Sequence, residues 1–294
     1  AYNISEVNPQ KYGFTPIKIE KNLTLYQNKN ATTLAFLTNK VYKDVKFNNL
    51  TLDNQTKFLN QLSGLNYKYF QKIYPINSHN IIENNDHITV NVDKENNESF
   101  ASMTYTLDVP ENSQVYVSLP NMHFSNDDQT VVDISIGNET RRFTTNNVFT
   151  FFNLGHFMDK QTVTVRFTFP DNSQVSFDKP EFYKVNINHF QESIDKIHSQ
   201  KVEVTTKNSQ ITVDYQAQKD SSLFLTLPYD KGWSATQNGH PVTIYKAQDG
   251  FMKVDVKKGS GRVILKFIPK GFKEGIGCFI LGITLFTLYN YKKR

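Results

Sequence analysis

Cysteine is almost absent from this chain. Cys278 is the only one in 294 residues, so no intramolecular disulfide can form and any folded domain rests on packing alone. That scarcity does not assign a compartment, because bacterial surface domains also do without disulfides. Tryptophan is equally scarce, with Trp233 alone. The patterns of common active sites are missing too. The seven histidines, His79, His87, His123, His156, His189, His198 and His240, show no His-Glu-x-x-His or other ligand spacing. There is no Gly-x-Ser-x-Gly elbow and no Gly-rich phosphate loop, and the lone cysteine lies in an apolar run away from any histidine partner. Asp127-Asp128 offers oxygen donors of the kind calcium loops use, but acidic loop tips are ordinarily only solvated. These absences predict no catalytic residue, no metal and no cofactor in this chain. Its first residues, AYNISEVNPQ, carry neither an initiator methionine nor a signal-peptide pattern, and the chain reads as part of something longer.

What is present is concentrated at the far end. Gly275 to Tyr291 is an uncharged run of seventeen residues closed by Lys292-Lys293-Arg294. As a helix it spans about 25 Å, the low end of what crosses a bilayer. The run predicts a membrane helix over 271–291 and a short tail, 292–294. The net charge of +5 is uneven: Lys246 to Arg294 holds eleven Lys and Arg against Asp249, Asp255 and Glu274, or +8, and leaves −3 for the rest. Basic residues beside a membrane attract anionic head groups or anionic wall polymers. Equally, Lys257, Lys258, Lys270 and Lys273 solvate turns and mark the bilayer edge. No basic stripe with interleaved aromatics suggests nucleic acid. A three-residue basic tail belongs in the cytoplasm, which puts the large polar part outside.

The fold expected is mainly β, with two β-sandwich or jelly-roll-like units, a small α+β segment before them and the membrane helix after them. Residues 1–76 mix signals. Pro16 to Tyr26 alternates as a half-buried strand, Gln27 to Asn30 turns, and Thr33 to Val41 returns as a second strand. A short helix follows, with Asp53 as N-cap, Phe58, Leu59 and Leu62 on one face and Gly64 as its stop. Across 77–186 strand follows strand, at 88–92, 99–109, 113–119, 148–154 and 174–185, with Val163, Val165, Phe167 and Phe169 alternating against Thr162, Thr164, Arg166 and Thr168. Residues 187–200 read as a linking helix capped at Asn188. A second β-rich domain spans 201–270, with a two-residue hairpin turn at Asn238-Gly239 and a further turn at Gly259-Ser260-Gly261.

The most distinctive motif is Tyr229-Asp230-Lys231-Gly232-Trp233. Tyr229 and Trp233 can stack on a sugar ring while Asp230 accepts hydroxyl hydrogen bonds, and Lys257 and Lys258 supply charge for an anionic polymer. Alternatively Gly232 turns the chain so that Trp233 plugs the sandwich, the commoner use of a large aromatic. With Leu227-Pro228 before it, Asn238-Gly239 and Gly259-Ser260-Gly261 after it, and Phe267-Ile268-Pro269-Lys270-Gly271-Phe272 leading into the last helix, this stretch resembles the C-terminal region of the YfhO family of bacterial multi-pass membrane proteins. Leu25-Tyr26-Gln27-Asn28 resembles a second family segment, with Gln27 where the family has Glu. The resemblance covers most of the chain and is specific from 227 to 275.

That resemblance implies a parent protein with many membrane helices, similar to the GT-C glycosyltransferases, using a polyprenyl-phosphate sugar donor. In Gram-positive members the implied acceptor is a cell-wall glycopolymer such as teichoic acid. The implied catalytic acid lies between membrane helices that this chain lacks. The expectation is therefore a non-catalytic, extracytoplasmic portion that positions the acceptor, with partners limited to the membrane and an anionic polymer or glycan. The alternatives are a structural module that braces membrane helices or a partner, and a surface domain, adhesin or sensor on a single anchor.

Overall fold

A computed structural model of the chain describes residues 14–21, 23–48, 50–145, 151–207 and 209–293. Two compact units emerge, one from Ala1–Asn30 with Tyr67–Glu192 and the other from Ala31–Asn66 with Ser193–Arg294. Both are built from antiparallel sheets, and the alternation that the sequence shows is what buries their cores.

In the first unit a five-stranded sheet runs in the order Glu139–Thr144, Val131–Ile136, Gln161–Phe169, Ala101–Val109, Pro75–His79. A four-stranded sheet orders Phe151–Phe157, Ser113–Ser118, Glu181–Asn186 and Phe70–Ile73, and another orders His123–Phe124, Gln174–Asp178, His87–Asn91 and Ile82–Asn84. Val163, Val165, Phe167 and Phe169 point inward with Met103, Tyr105 and Leu107, and meet Val115, Val117, Phe152 and Phe182 in one core. The inward positions are every second residue, as a pleated strand requires. The run 174–185 is two strands in different sheets, because Lys179-Pro180 interrupts it and proline cannot donate to a ladder. The expected strand at 148–154 begins at Phe151; its residues 148–150 lie outside the described residues.

The N-terminal reading needs correction. Pro16 to Tyr26 is not one strand but a hairpin, Phe14–Glu20 paired with Leu23–Asn28, turning at Lys21 with φ +54°. Its Ile17, Ile19, Leu23 and Leu25 are exposed. A bulge between Pro16 and Lys18 sets Lys18 opposite Leu25 and Glu20 opposite Leu23, so apolar side chains are not gathered on one face.

The second unit pairs a five-stranded sheet (Lys201–Lys207, Gln210–Ala217, Gly259–Phe267, Trp233–Gln237, His240–Val242) with a four-stranded one (Tyr245–Ala247, Phe251–Val256, Ser221–Leu225, Ala35–Leu37). Ala35–Leu37 does not return onto the N-terminal strand. It pairs with Ser221–Leu225, Leu37 opposite Leu223 and Ala35 opposite Leu225. Both strands are buried along their whole length. One face, with Ala35, Leu37, Leu223 and Leu225, joins Val213, Val254, Val263 and Leu265. The other carries Phe36 and Phe224 into a separate cluster with Tyr42, Leu62 and Ile197. Phe58 lies 6.0 Å from the Phe224 ring, so helix Thr51–Ser63 covers this second face. Strands of a sheet covered on both sides read as continuous apolar runs, which explains Leu223-Phe224-Leu225.

Helix Thr51–Ser63 ends as expected, with Gly64 left-handed at φ +72°. Its start differs: Leu50 is the N-cap without a side-chain bond, and Asp53 sits in the first turn, paired with Lys57 at 2.6 Å. Helix Ile187–His198 is capped by Asn186, whose side-chain oxygen accepts the His189 N–H at 3.1 Å, rather than by Asn188. Asn238-Gly239 forms the expected tight turn with φ +50° and +86°, placing Gln237 opposite His240. Gly259, Ser260 and Gly261 are instead strand residues, and the turn before them is made by Lys257-Lys258. Gly261 leaves room for the Tyr215 ring, since a Cβ there would lie 2.4 Å from the phenolic oxygen.

The chain ends in helix Phe272–Lys292, 21 residues with mean hydropathy 1.4 and no buried residue. At about 31 Å it has the length of a bilayer core. Among the described residues it is the one helix long and apolar enough to cross a membrane.

Candidate functional site

The predicted site divides. Tyr229, Asp230 and Trp233 share one turn of the second unit. Asp230 accepts the Gly232 N–H on its carboxylate at 2.6 Å and the Trp233 N–H on its backbone carbonyl at 3.2 Å. Its carboxylate thus shapes its own turn, an Asx arrangement. Trp233 is half-buried, packs against the core and lies 5.0 Å from the Phe267 ring. Tyr229 is 36% exposed, its N–H bonded to Gly250. Gly232 is required by crowding: a Cβ would stand 2.4 Å from the Ile268 carbonyl oxygen.

Lys257 and Lys258 are elsewhere. Trp233 pairs with Phe267 at one end of strand Gly259–Phe267, whereas the lysines precede its other end. Eight residues of strand put roughly 27 Å between the two places. The strand end that leads into the C-terminal helix is Phe267, so these lysines precede the other end of the strand. Lys257 pairs with Asp220 at 2.7 Å, and the Lys258 N–H donates to the same carboxylate at 3.0 Å. The Lys257 hydrogen bond holds Asp220 below the usual carboxylate range, and Asp220 in turn raises Lys257.

The calcium alternative also acquires a geometry. Asn126 accepts the Asp128 N–H at 3.2 Å in an Asx turn, and the loop is pinned by buried Asn172, which accepts the Asn126 N–H at 2.8 Å. Among the described residues no group of His, Cys, Asp or Glu gathers into a metal-binding set.

Sequence reasoning passed over a face of the first unit. On the outer side of the sheet that contains Ser113–Ser118, register aligns Phe151 with Ser118 and Glu181, then Asn153 with Tyr116, Tyr183 and Lys72, then His156 with Gln114. Phe151 lies 5.9 Å from Tyr116 and 6.2 Å from Tyr183, the latter pair stacked. Glu181 accepts from Tyr183 and pairs with Lys72, and Gln114 donates to Asn153. Burial alone would raise the Glu181 carboxyl, but the Lys72 and Tyr183 hydrogen bonds outweigh it and hold it low. Burial also raises the Tyr116 phenol and lowers the His156 imidazole, which is neutral at pH 7. Chemically, such a face offers aromatic rings for stacking and amide and carboxylate groups for hydrogen bonding. The trace in the sequence was tyrosine in the outward slots of two alternating strands; the pairing of those strands was not visible.

The apolar C-terminal helix completes the geometry, and comparison with known proteins adds the family. The sequence matches the family described as bacterial membrane protein YfhO across residues 1–279. The chain belongs to the YfhO family. It is 25% identical over 142 residues to the uncharacterized protein YfhO of Bacillus subtilis (strain 168), which covers 45% of this chain and 16% of that protein. The chain thus spans a minor part of its curated YfhO relative's length. Among solved structures, a conserved protein of unknown function from Pseudomonas aeruginosa PAO1 is 8% identical with a TM-score of 0.17, covering 67% of this chain and 92% of that one. Quercetin 2,3-dioxygenase from Acinetobacter baumannii is 12% identical with a TM-score of 0.13, covering 71% and 79%. At those scores neither carries an argument. Family membership and the C-terminal helix establish a membrane-associated protein.

Proposed function

We propose that this chain is the extracytoplasmic C-terminal portion, with the last membrane helix, of a YfhO-type glycosyltransferase. Its β-rich units hold a teichoic-acid-like cell-wall polymer while the sugar is transferred from a polyprenyl-phosphate donor in the parent protein's membrane region. There an acceptor hydroxyl attacks the anomeric carbon, the bond to phosphate breaks, polyprenyl phosphate leaves, and the hydroxyl proton passes to a base outside this chain. No residue here takes a catalytic role. The observation that supports the reading best is the short tether: only Ile268–Gly271 separates strand Gly259–Phe267 from the membrane helix. A sheet fastened that closely works at the bilayer surface, where a lipid-linked donor also resides. The basic residues Lys292-Lys293-Arg294 after the helix support a cytoplasmic position for that flank, with the β-rich units on the opposite side.

Two measurements test this. Wall polymer from cells lacking the gene is compared with wild type by NMR; loss of a glycosyl substituent supports the transferase, and an unchanged polymer refutes it. The purified chain in detergent is then titrated with teichoic acid at low and high salt, with Trp233 fluorescence as one readout. Saturable binding weakened by salt supports acceptor holding through lysines. A second reading, a module that only braces membrane helices, is favoured by the inward packing of Trp233 and the self-bonded Asp230. No binding to any polymer would select it.

A further inference from the structure

The first unit has a cleft of about 620 Å³ beside strand Glu181–Asn186. That size lies within the range of small-molecule sites. Its apolar lining includes Ile73, Ile88 and Phe182, and Tyr74 beside them is 76% exposed. Tyr105 also lines it and is only 5% exposed. The Tyr105 hydroxyl makes no hydrogen bond among the described residues. Glu83 also lines the cleft; burial raises the phenol's pKa and the Glu83 carboxylate adds to the shift. A buried donor left open to a cavity expects a partner.

The charges decide what kind of partner. Lys72 and Lys179 line the cleft against Glu83, Asp86, Asp178 and Glu181, a balance of −2. Both lysines are already paired, Lys72 with Glu181 and Lys179 with Glu83. A phosphate would meet net repulsion here and find no unpaired cation. A neutral ring with hydroxyls meets an exposed aromatic, an apolar floor and carboxylates with spare lone pairs.

We propose that this cleft binds a neutral pyranose ring, the glycosyl part of a polymer rather than its phosphates, stacked on Tyr74 and hydrogen-bonded to Tyr105 and the flanking carboxylates. The proposal rests on the acceptor-holding reading and moves the sugar contact away from Trp233. The full chain in lipid nanodiscs is titrated with methyl glycosides of glucose, galactose and N-acetylglucosamine, followed by saturation-transfer NMR and calorimetry, beside unsubstituted poly(glycerol phosphate). At least one glycoside binds saturably, equally at low and high salt. Tyr74→Ala weakens it by about tenfold, the worth of a stacked ring, and Tyr105→Phe, which keeps the packing, by about fivefold, the worth of one hydrogen bond. The proposal is overturned if no glycoside binds, or if binding is unchanged by both substitutions. In that event, salt-dependent binding of poly(glycerol phosphate) leaves the acceptor-holding reading standing without this cleft, and its absence removes both.

Discussion

Replacing Gly232 with alanine puts a methyl 2.4 Å from the Ile268 carbonyl oxygen, 2.8 Å from Phe267 Cε2 and 3.0 Å from the Asp230 carboxylate. The first contact is about 1 Å short of ordinary van der Waals distance. Ile268 cannot simply retreat, because its N–H donates to the Gly232 carbonyl at 3.0 Å. Overpacking of this kind costs about 2 kcal/mol, and a weakened backbone hydrogen bond adds about 1 kcal/mol. For a unit of this size the melting temperature should fall by about 10 °C. Trp233 is the only tryptophan and lies in the second unit, so its fluorescence follows that unit alone during thermal unfolding. Gly250→Ala is the control, since a Cβ there meets nothing within 4 Å, and it should change stability by less than about 0.5 kcal/mol. If Gly232→Ala melts within a degree or two of wild type, the crowded turn does not hold Trp233 as described. The Tyr-Asp-Lys-Gly-Trp motif would then again be open to a binding role.

Other outcomes follow from the same geometry. Asn172, 1% exposed, bonds the Asn126 N–H and the Gln129 and Pro170 carbonyls; Asn172→Ala should cost about 3 kcal/mol, read by urea unfolding with near-ultraviolet dichroism. Acid should loosen the first unit. Asp93 is held low chiefly by Asn96, Asp178 by Asn121, and Glu181 by Lys72 and Tyr183 against its burial. Carboxyls lowered on folding bind fewer protons than in the unfolded chain, so their stabilisation is complete above the ordinary carboxylate range and is lost as pH falls through their folded values. Glu181→Gln should make that acid limb shallower in a pH titration of unfolding, and an identical slope would contradict the assignment. Expressed by itself, the 294-residue chain should enter the carbonate-resistant membrane fraction, and the same piece ended after Pro269, without helix Phe272–Lys292, should stay in the soluble one.

Part of this was legible beforehand because it is local. Asn238-Gly239 makes its hairpin because both residues accept positive φ, and Gly64 stops its helix for the same reason. Val163, Val165 and Phe167 announce their inward face by period-two alternation, and the uncharged C-terminal run can only be a membrane-length helix. The errors came where partners are remote. Residues 16–26 alternate like one strand, but a turn at Lys21 folds them onto themselves. Gly259 and Gly261 look like a turn until the Tyr215 ring is seen to need the space.

What the sequence by itself determined is the class of the fold, the long apolar helix at its C-terminal end and individual turns such as Asn238-Gly239, because hydrophobic period and backbone φ are properties of a few neighbouring residues. Only the tertiary structure decided that Ala35–Leu37 pairs with Ser221–Leu225, since register between distant strands depends on which faces bury together. It likewise turned Trp233 toward the core and set Lys257 at the other end of the strand that Trp233 joins. It assembled Tyr74, Tyr105 and Glu181 around one cleft through strand pairings that no short stretch of sequence records.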